Sequence, residues 1–232
     1  MRLVRFRQGG GRPTDVAREN LDELLMLTEA ALELTNVNRW AQDRVMSEAL
    51  RKNDTPNITP ADLREKAKKV QYETEVVDAF LQLGAQSFAL HGSEALWERP
   101  MNTGARGRPK AIDVALFNGN KAEESRIEFG AFSSKKLRDD ATKLHEFNTP
   151  LWRGQGVEKV SNFLILWKEG AEQVSQGGIG EWFNTCTATA ADESTAAMRI
   201  EVRVASCQDA FSPEQRTKKS FNLAIFEVLT VE

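Results

Sequence analysis

The chain is poor in the residues that most readily announce a chemistry. It has two cysteines, Cys186 and Cys207, and neither belongs to a CxxC pair. A disulfide framework is therefore excluded; one bridge between them is conceivable, and two reduced thiols in a cytoplasmic protein are the default expectation. His91 and His145 are the only histidines. That nearly excludes a zinc site built on two or more histidines, and a Ser-His-Asp relay would have to use one of the two. No apolar run approaches the roughly 18 to 20 residues that span a bilayer. The longest, Phe163-Leu164-Ile165-Leu166-Trp167, is the size of a strand. The basic N-terminus runs into Gly9-Gly10-Gly11 instead of an apolar segment, so no signal peptide is readable and no membrane association is expected. Charge of one sign is lacking too: 31 Lys and Arg stand against 34 Asp and Glu, a net −3. That balance argues against capture of nucleic acid by the whole surface, and any phosphate contact needs a local basic patch.

What is present is a soluble globular composition, 232 residues with 41% hydrophobic and 28% charged. The length suits one large domain, or one domain with an appendage. Residues 1–13 carry four arginines, no acid and three glycines, and read as a flexible basic arm. Residues 14–69 read as a helical segment, with Thr14-Asp15 and Thr59-Pro60 as helix starts and Leu21, Leu24, Leu25, Leu27, Ala31 and Leu34 as an apolar stripe. The next helix runs to about Leu83-Gly84, its inward face reading Lys69, Glu73, Val76, Val77, Phe80 and Gly84. Ser87 to Trp97 holds one or two short strands. Ala111 to Phe117 is a strand, Asn118-Gly119-Asn120 a hairpin turn, and Arg126 to Phe132 the returning strand. Ser133-Ser134 caps a helix to about Phe147, and Asn162 to Trp167 is apolar on both faces, as a covered central strand is. Gly177-Gly178 marks a turn, and Met198 to Val204 and Phe221 to Val231 alternate as strands. These features predict an α/β fold with a mixed central sheet, a core over 70–168 and a strand-rich extension over 169–232 packed on it. The extension carries no functional reading.

The chemistry-bearing stretch is Lys110-Ala111-Ile112-Asp113-Val114-Ala115, followed by Arg126-Ile127-Glu128-Phe129-Gly130. Asp113 lies on the face opposite Ile112 and Val114, and Glu128 on the face opposite Ile127 and Phe129. A hairpin pairing these strands projects both carboxylates from one face of the sheet. Two carboxylates at close range raise one pKa unless a cation stands between them. Hard oxygen ligands of this kind suit Mg²⁺ or Mn²⁺. Glu73, an acid beside the apolar stripe Val76, Val77 and Phe80 on the inward helix face, could approach the same place. The plainer alternative is a set of salt bridges, with Arg126 a partner for Glu128 and Lys110 for Asp113.

From about Glu73 to Lys168 the chain resembles the core of the PD-(D/E)XK nuclease superfamily. That core has a helix bearing a Glu, a strand, a hairpin carrying an Asp and then Glu-x-Lys, a second helix and an apolar strand. The resemblance implies a restriction-endonuclease-like three-layer core. Asp113 matches the family's Asp, although Ile112 precedes it where the family has Pro. Glu128 matches the acid of Glu-x-Lys, and Glu73 the helix glutamate. By the same resemblance Asp113 and Glu128 are ligands for Mg²⁺ or Mn²⁺. Gly130 stands where the family has its lysine, the residue that positions or activates the attacking water and steadies charge on the phosphate. Lys136 is the first candidate for a displaced cation, with Lys135 and Lys143 behind it; otherwise these lysines simply solvate a helix face. The function implied is a metal-dependent nuclease acting on DNA. A lysine lost without replacement implies instead a catalytically inactive nuclease-fold protein that binds DNA or a protein partner, and a homodimer stays open.

Between Arg99 and Lys110 there are four basic residues and no acid. Arg106-Gly107-Arg108-Pro109-Lys110 resembles the core of an AT-hook, whose arginines enter the minor groove, although an ordinary loop before a strand is the default. Arg106, Arg108 and Lys110 are the candidate nucleic-acid contacts, able to orient a duplex over the carboxylates. Gly177-Gly178-Ile179-Gly180 lacks a following Lys-Ser/Thr and is not a P-loop.

Overall fold

Alternating apolar residues in the described part of the chain build one mixed sheet of seven strands. They are β1 (Leu3–Arg7), β2 (Ser93–Pro100), β3 (Ala111–Asn118), β4 (Glu123–Ala131), β5 (Lys159–Gly170), β6 (Met198–Asp209) and β7 (Ser220–Thr230). Their order across the sheet is β1-β6-β7-β5-β4-β3-β2. The computed structural model describes residues 3–7, 21–38, 71–100, 111–147, 156–170, 176–209 and 220–231. Within them the helices are α1 (residues 21–38), α2 (Gln71–Leu90), α3 (Ser134–Glu146) and α4 (Gln176–Glu193). Only β4 and β5 pair in parallel, which a crossover through α3 requires; the remaining neighbours are antiparallel.

The strand β5 shows why the molecule has three layers. Its side chains alternate, and both sets are buried. Phe163, Ile165 and Trp167 join Val76, Val77 and Phe80 of α2 and Leu24, Leu25 and Leu32 of α1 on one face. Leu164 and Leu166 join Leu137, Ala141 and Leu144 of α3 and Trp182, Phe183 and Cys186 of α4 on the other. Each fully buried side chain of this size contributes about 1.5–3 kcal/mol. A register shift between Val202 and Val204 in β6 sends those two valines to opposite faces.

Several elements differ from the expectations above. Leu3–Arg7, expected in a mobile arm, pair with β6 at the sheet edge. The helix α2 does not end at Gly84 but continues to Leu90. Gly84 is a notch in it: a Cβ there would stand 2.4 Å from the Phe88 ring and 3.2 Å from Leu27 of α1. Gly177 and Gly178 open α4, where a turn was expected. The threonines of that helix are accommodated because Thr185, Thr187 and Thr189 donate back to the carbonyls of Glu181, Phe183 and Thr185. The C-terminal strands are not laid on a finished core: β7 lies between β5 and β6 inside the sheet. The helix starts at Thr14-Asp15 and Thr59-Pro60 lie outside the described residues. Cys186 and Cys207 are buried and form no disulfide. No described helix is long and apolar enough to cross a membrane.

Candidate functional site

The β3–β4 hairpin brings Asp113 within electrostatic reach of Glu128. Asn118 shapes its turn by accepting, through Oδ1, a hydrogen bond from the Lys121 N–H at 3.1 Å. The ladder then pairs Asn118 with Glu123 and runs to Val114 opposite Ile127. Beyond that pair the alternation of β3 breaks: Val114 is buried on the α2 face and Ile112 on the α3 face, so Asp113 does not stand opposite both of them as expected. There the ladder stops and a side chain takes over, the Phe129 N–H donating to Asp113 Oδ2 at 2.8 Å. Glu128 is 1% exposed, and the Lys143 ammonium of α3 lies 2.5 Å from its Oε1. Burial pushes the Glu128 carboxyl well above its ordinary pKa, the charge of Asp113 adds to that, and Lys143 opposes both.

Two helices deliver the remaining groups. Glu73 stands in the first turn of α2, below the buried Val76, Val77 and Phe80 that fix this helix on the sheet. Ser133 caps α3, its hydroxyl accepting from the Lys136 N–H at 3.1 Å. The Lys136 ammonium lies 3.1 Å from Glu73 Oε1 and 3.0 Å from Asp140 Oδ2. Burial works against its charge, but Asp140 and then Glu73 outweigh that, and its pKa is raised. Burial also raises the carboxyls of Glu73 and Asp140, against the pull of Lys136. Gly130 supplies the space for this arrangement. A Cβ at that position would stand 2.2 Å from Lys136 Cε, 3.0 Å from its Nζ and 2.9 Å from Glu73 Oε2.

The structure therefore brings Glu73, Asp113, Glu128 and Lys136 into one cluster. Asp140 and Lys143 belong to it as well. The sequence offers a signal for both: with Lys136 they recur at i, i+4 and i+7 on one helix face. Lys135 points away and pairs with the exposed Asp139, so for this lysine the solvated-face reading holds. Arg126, a sequence-level partner for Glu128, is wholly buried and binds Glu124 at 2.6 Å. Arg106, Arg108 and Lys110 lie outside the described residues. Among the described residues no group of three or more His, Cys, Asp or Glu side chains forms a ready metal cage. Lysines interleave the carboxylates, and Asp113 and Glu128 are the oxygen donors on offer. Chemically, the cluster can hold a cation between carboxylates and keep an ammonium beside it in a half-buried setting.

Away from this cluster, a concavity of about 590 Å³ opens at the turn end of the hairpin and is lined in part by Glu23, Ser87, His91 and Lys121. Ser87 donates to Glu23, and His91 Nδ1 lies 3.6 Å from the same carboxylate. The acid sits between hydroxyl and imidazole, an order that does not make a nucleophile–base–acid relay. Comparison of the chain with protein-family models, with curated proteins and with solved structures gives no match.

Proposed function

We propose that this chain is a metal-dependent nuclease, or a close relative of one, acting on DNA. The observation that carries the proposal is the exchange at position 130: the Lys136 ammonium lies 3.0 Å from where a side chain on Gly130 would begin. A cation missing from the strand is returned to nearly the same place from the next helix. The succession α2, β2, β3, β4, α3, β5, with β4 and β5 parallel, supports a restriction-endonuclease-like core around it.

The donor set fits a divalent ion. Glu73, Asp113, Glu128 and Asp140 stand against Lys136 and Lys143, leaving a formal charge of −2 in a largely buried cluster. Asp113 and Glu128 would hold the ion, water completing the shell that Mg²⁺ keeps. Bound there, Mg²⁺ or Mn²⁺ supplies Lewis-acid stabilisation of a phosphoryl oxygen and lowers the pKa of bound water. Lys136 holds its ammonium toward the phosphate and orients the attacking water; Glu73 and Asp140 fix that ammonium in place. Arg106, Arg108 and Lys110 would steer the duplex to the cluster, and the setting proposed is the cytoplasm.

Supercoiled-plasmid nicking with Mg²⁺ or Mn²⁺ tests the proposal. Asp113→Ala abolishes nicking, and Lys136→Ala lowers it by about 10²–10³-fold, the usual cost of losing one transition-state contact. The double variant Gly130→Lys/Lys136→Ala, which returns the cation to the strand, recovers much of the loss. Activity unchanged in Asp113→Ala overturns the proposal. One observation favours a second reading, a nuclease-fold protein that binds DNA or a protein partner without cutting: both lysines are engaged by carboxylates. No nicking by the wild-type chain, with DNA retardation that weakens steeply with salt, selects that reading.

A further inference from the structure

The two lysines of α3 are held differently. Lys136 is clamped between Glu73 and Asp140. Lys143 sits on Glu128 itself, which is almost fully buried. Its ammonium thus occupies an oxygen that the nuclease reading assigns to a divalent ion. Burial and the charge of Asp113 both oppose a bare Glu128 carboxylate, so an unaccompanied charge there is costly, and the lysine offsets part of that cost. Lys143 also has an alternative carboxylate within electrostatic reach. Asp140 lies three residues earlier on the same helix and already feels its charge.

We propose that Lys143 is a resident counter-cation that competes with the divalent ion for Glu128 and moves to Asp140 when the ion binds. Metal loading is then an exchange of cations on one carboxylate. Glu128 stays paired throughout, and the ammonium is retained within the site. This rests on the nuclease reading and adds to it a specific antagonist of metal binding. It also separates the two lysines by role: Lys136 serves the phosphate, and Lys143 sets the metal affinity.

The test is calorimetric titration of Mn²⁺ into the full chain and three variants, with thermal melts establishing that each is folded. Lys143→Met removes the competitor, and Mn²⁺ binds on the order of tenfold more tightly, as expected for one partly shielded charge. Lys143→Arg keeps the charge and adds a forked donor set, and Mn²⁺ binds more weakly than to the wild type. Lys136→Met, which leaves Glu128 and Lys143 paired, tightens binding less than Lys143→Met does. If Lys143→Met does not fold, the arginine variant decides: binding as tight as in the wild type overturns the proposal. Mn²⁺ bound by wild type and by Lys143→Met with equal affinity overturns this inference and leaves the nuclease reading standing. Mn²⁺ bound by none of the four chains overturns both.

Discussion

A methyl group at position 130 would meet the Lys136 side chain at 2.2 Å and Glu73 Oε2 at 2.9 Å. What yields is the end of a flexible lysine, and the glycine does not sit at positive φ, so neither backbone nor core resists the change. Lys136 and Glu73 are also partly solvated, at 26% and 34% side-chain exposure, where an ion pair is worth about 1 kcal/mol at most. Gly130→Ala should therefore lower the melting temperature by no more than about 4 °C. It should lower plasmid nicking by roughly 10²-fold, because the ammonium is pushed off its place. Melting and nicking measured on the same preparation check this; an intact nicking rate would detach Gly130 from function. At this scale the sequence is informative about identity and silent about partners. Asp113 and Glu128 are legible from two alternating strands and an Asn-Gly turn. That Arg126 turns to Glu124, leaving Glu128 to Lys143, depends on how α3 lies against the sheet.

The helix α2 positions Glu73, and its hold on the sheet depends on the notch at Gly84. Phe88 fills that notch and packs against Phe80, which in turn packs against Phe129 beside the site. Helix propensity alone predicts that Gly84→Ala stabilises by about 1 kcal/mol. Overpacking a buried ring and Leu27 of α1 costs typically 1–3 kcal/mol and wins. The variant should melt lower, by up to about 8 °C, and a higher melting temperature would show that Phe88 can turn aside. The same glycine explains why the last turns of α2 escape the sequence reading: a glycine after an apolar stripe reads as a helix end, and only the packed ring shows otherwise. The hairpin, α3 and β5 are legible because cap, turn and alternation agree locally. The helix α4 is hidden by Gly177-Gly178 and by threonines of poor propensity, although Ile179, Trp182, Phe183, Cys186 and Ala190 keep a helical spacing. The place of β7 between β5 and β6 has no local signal, since it is set by pairing across long sequence separations.

For the whole molecule, the cluster makes stability depend on pH in a direction opposite to ordinary surface carboxylates. Glu73, Glu128 and Asp140 all have raised pKa values, with burial the leading cause in each. The folded chain thus keeps protons on these groups at a pH where the unfolded chain, with carboxyl pKa values of about 4, has lost them. Their contribution to stability is full below the unfolded pKa and is lost as pH rises through the folded one. Glu128, the most deeply buried of the three, should carry the largest share, and Glu128→Gln removes it while leaving Lys143 its neighbour Asp140. The melting temperature of Glu128→Gln minus that of the wild type should grow with pH from about 4 upward and then level off, reaching roughly 2–4 °C for each kcal/mol released. Taking the difference cancels the titration of every group the two chains share. A difference independent of pH between about 4 and 8 would mean that Lys143 compensates Glu128 fully. Glu128 would then be ionised through that range, and the formal −2 of the cluster would stand as a reason to expect a divalent ion there.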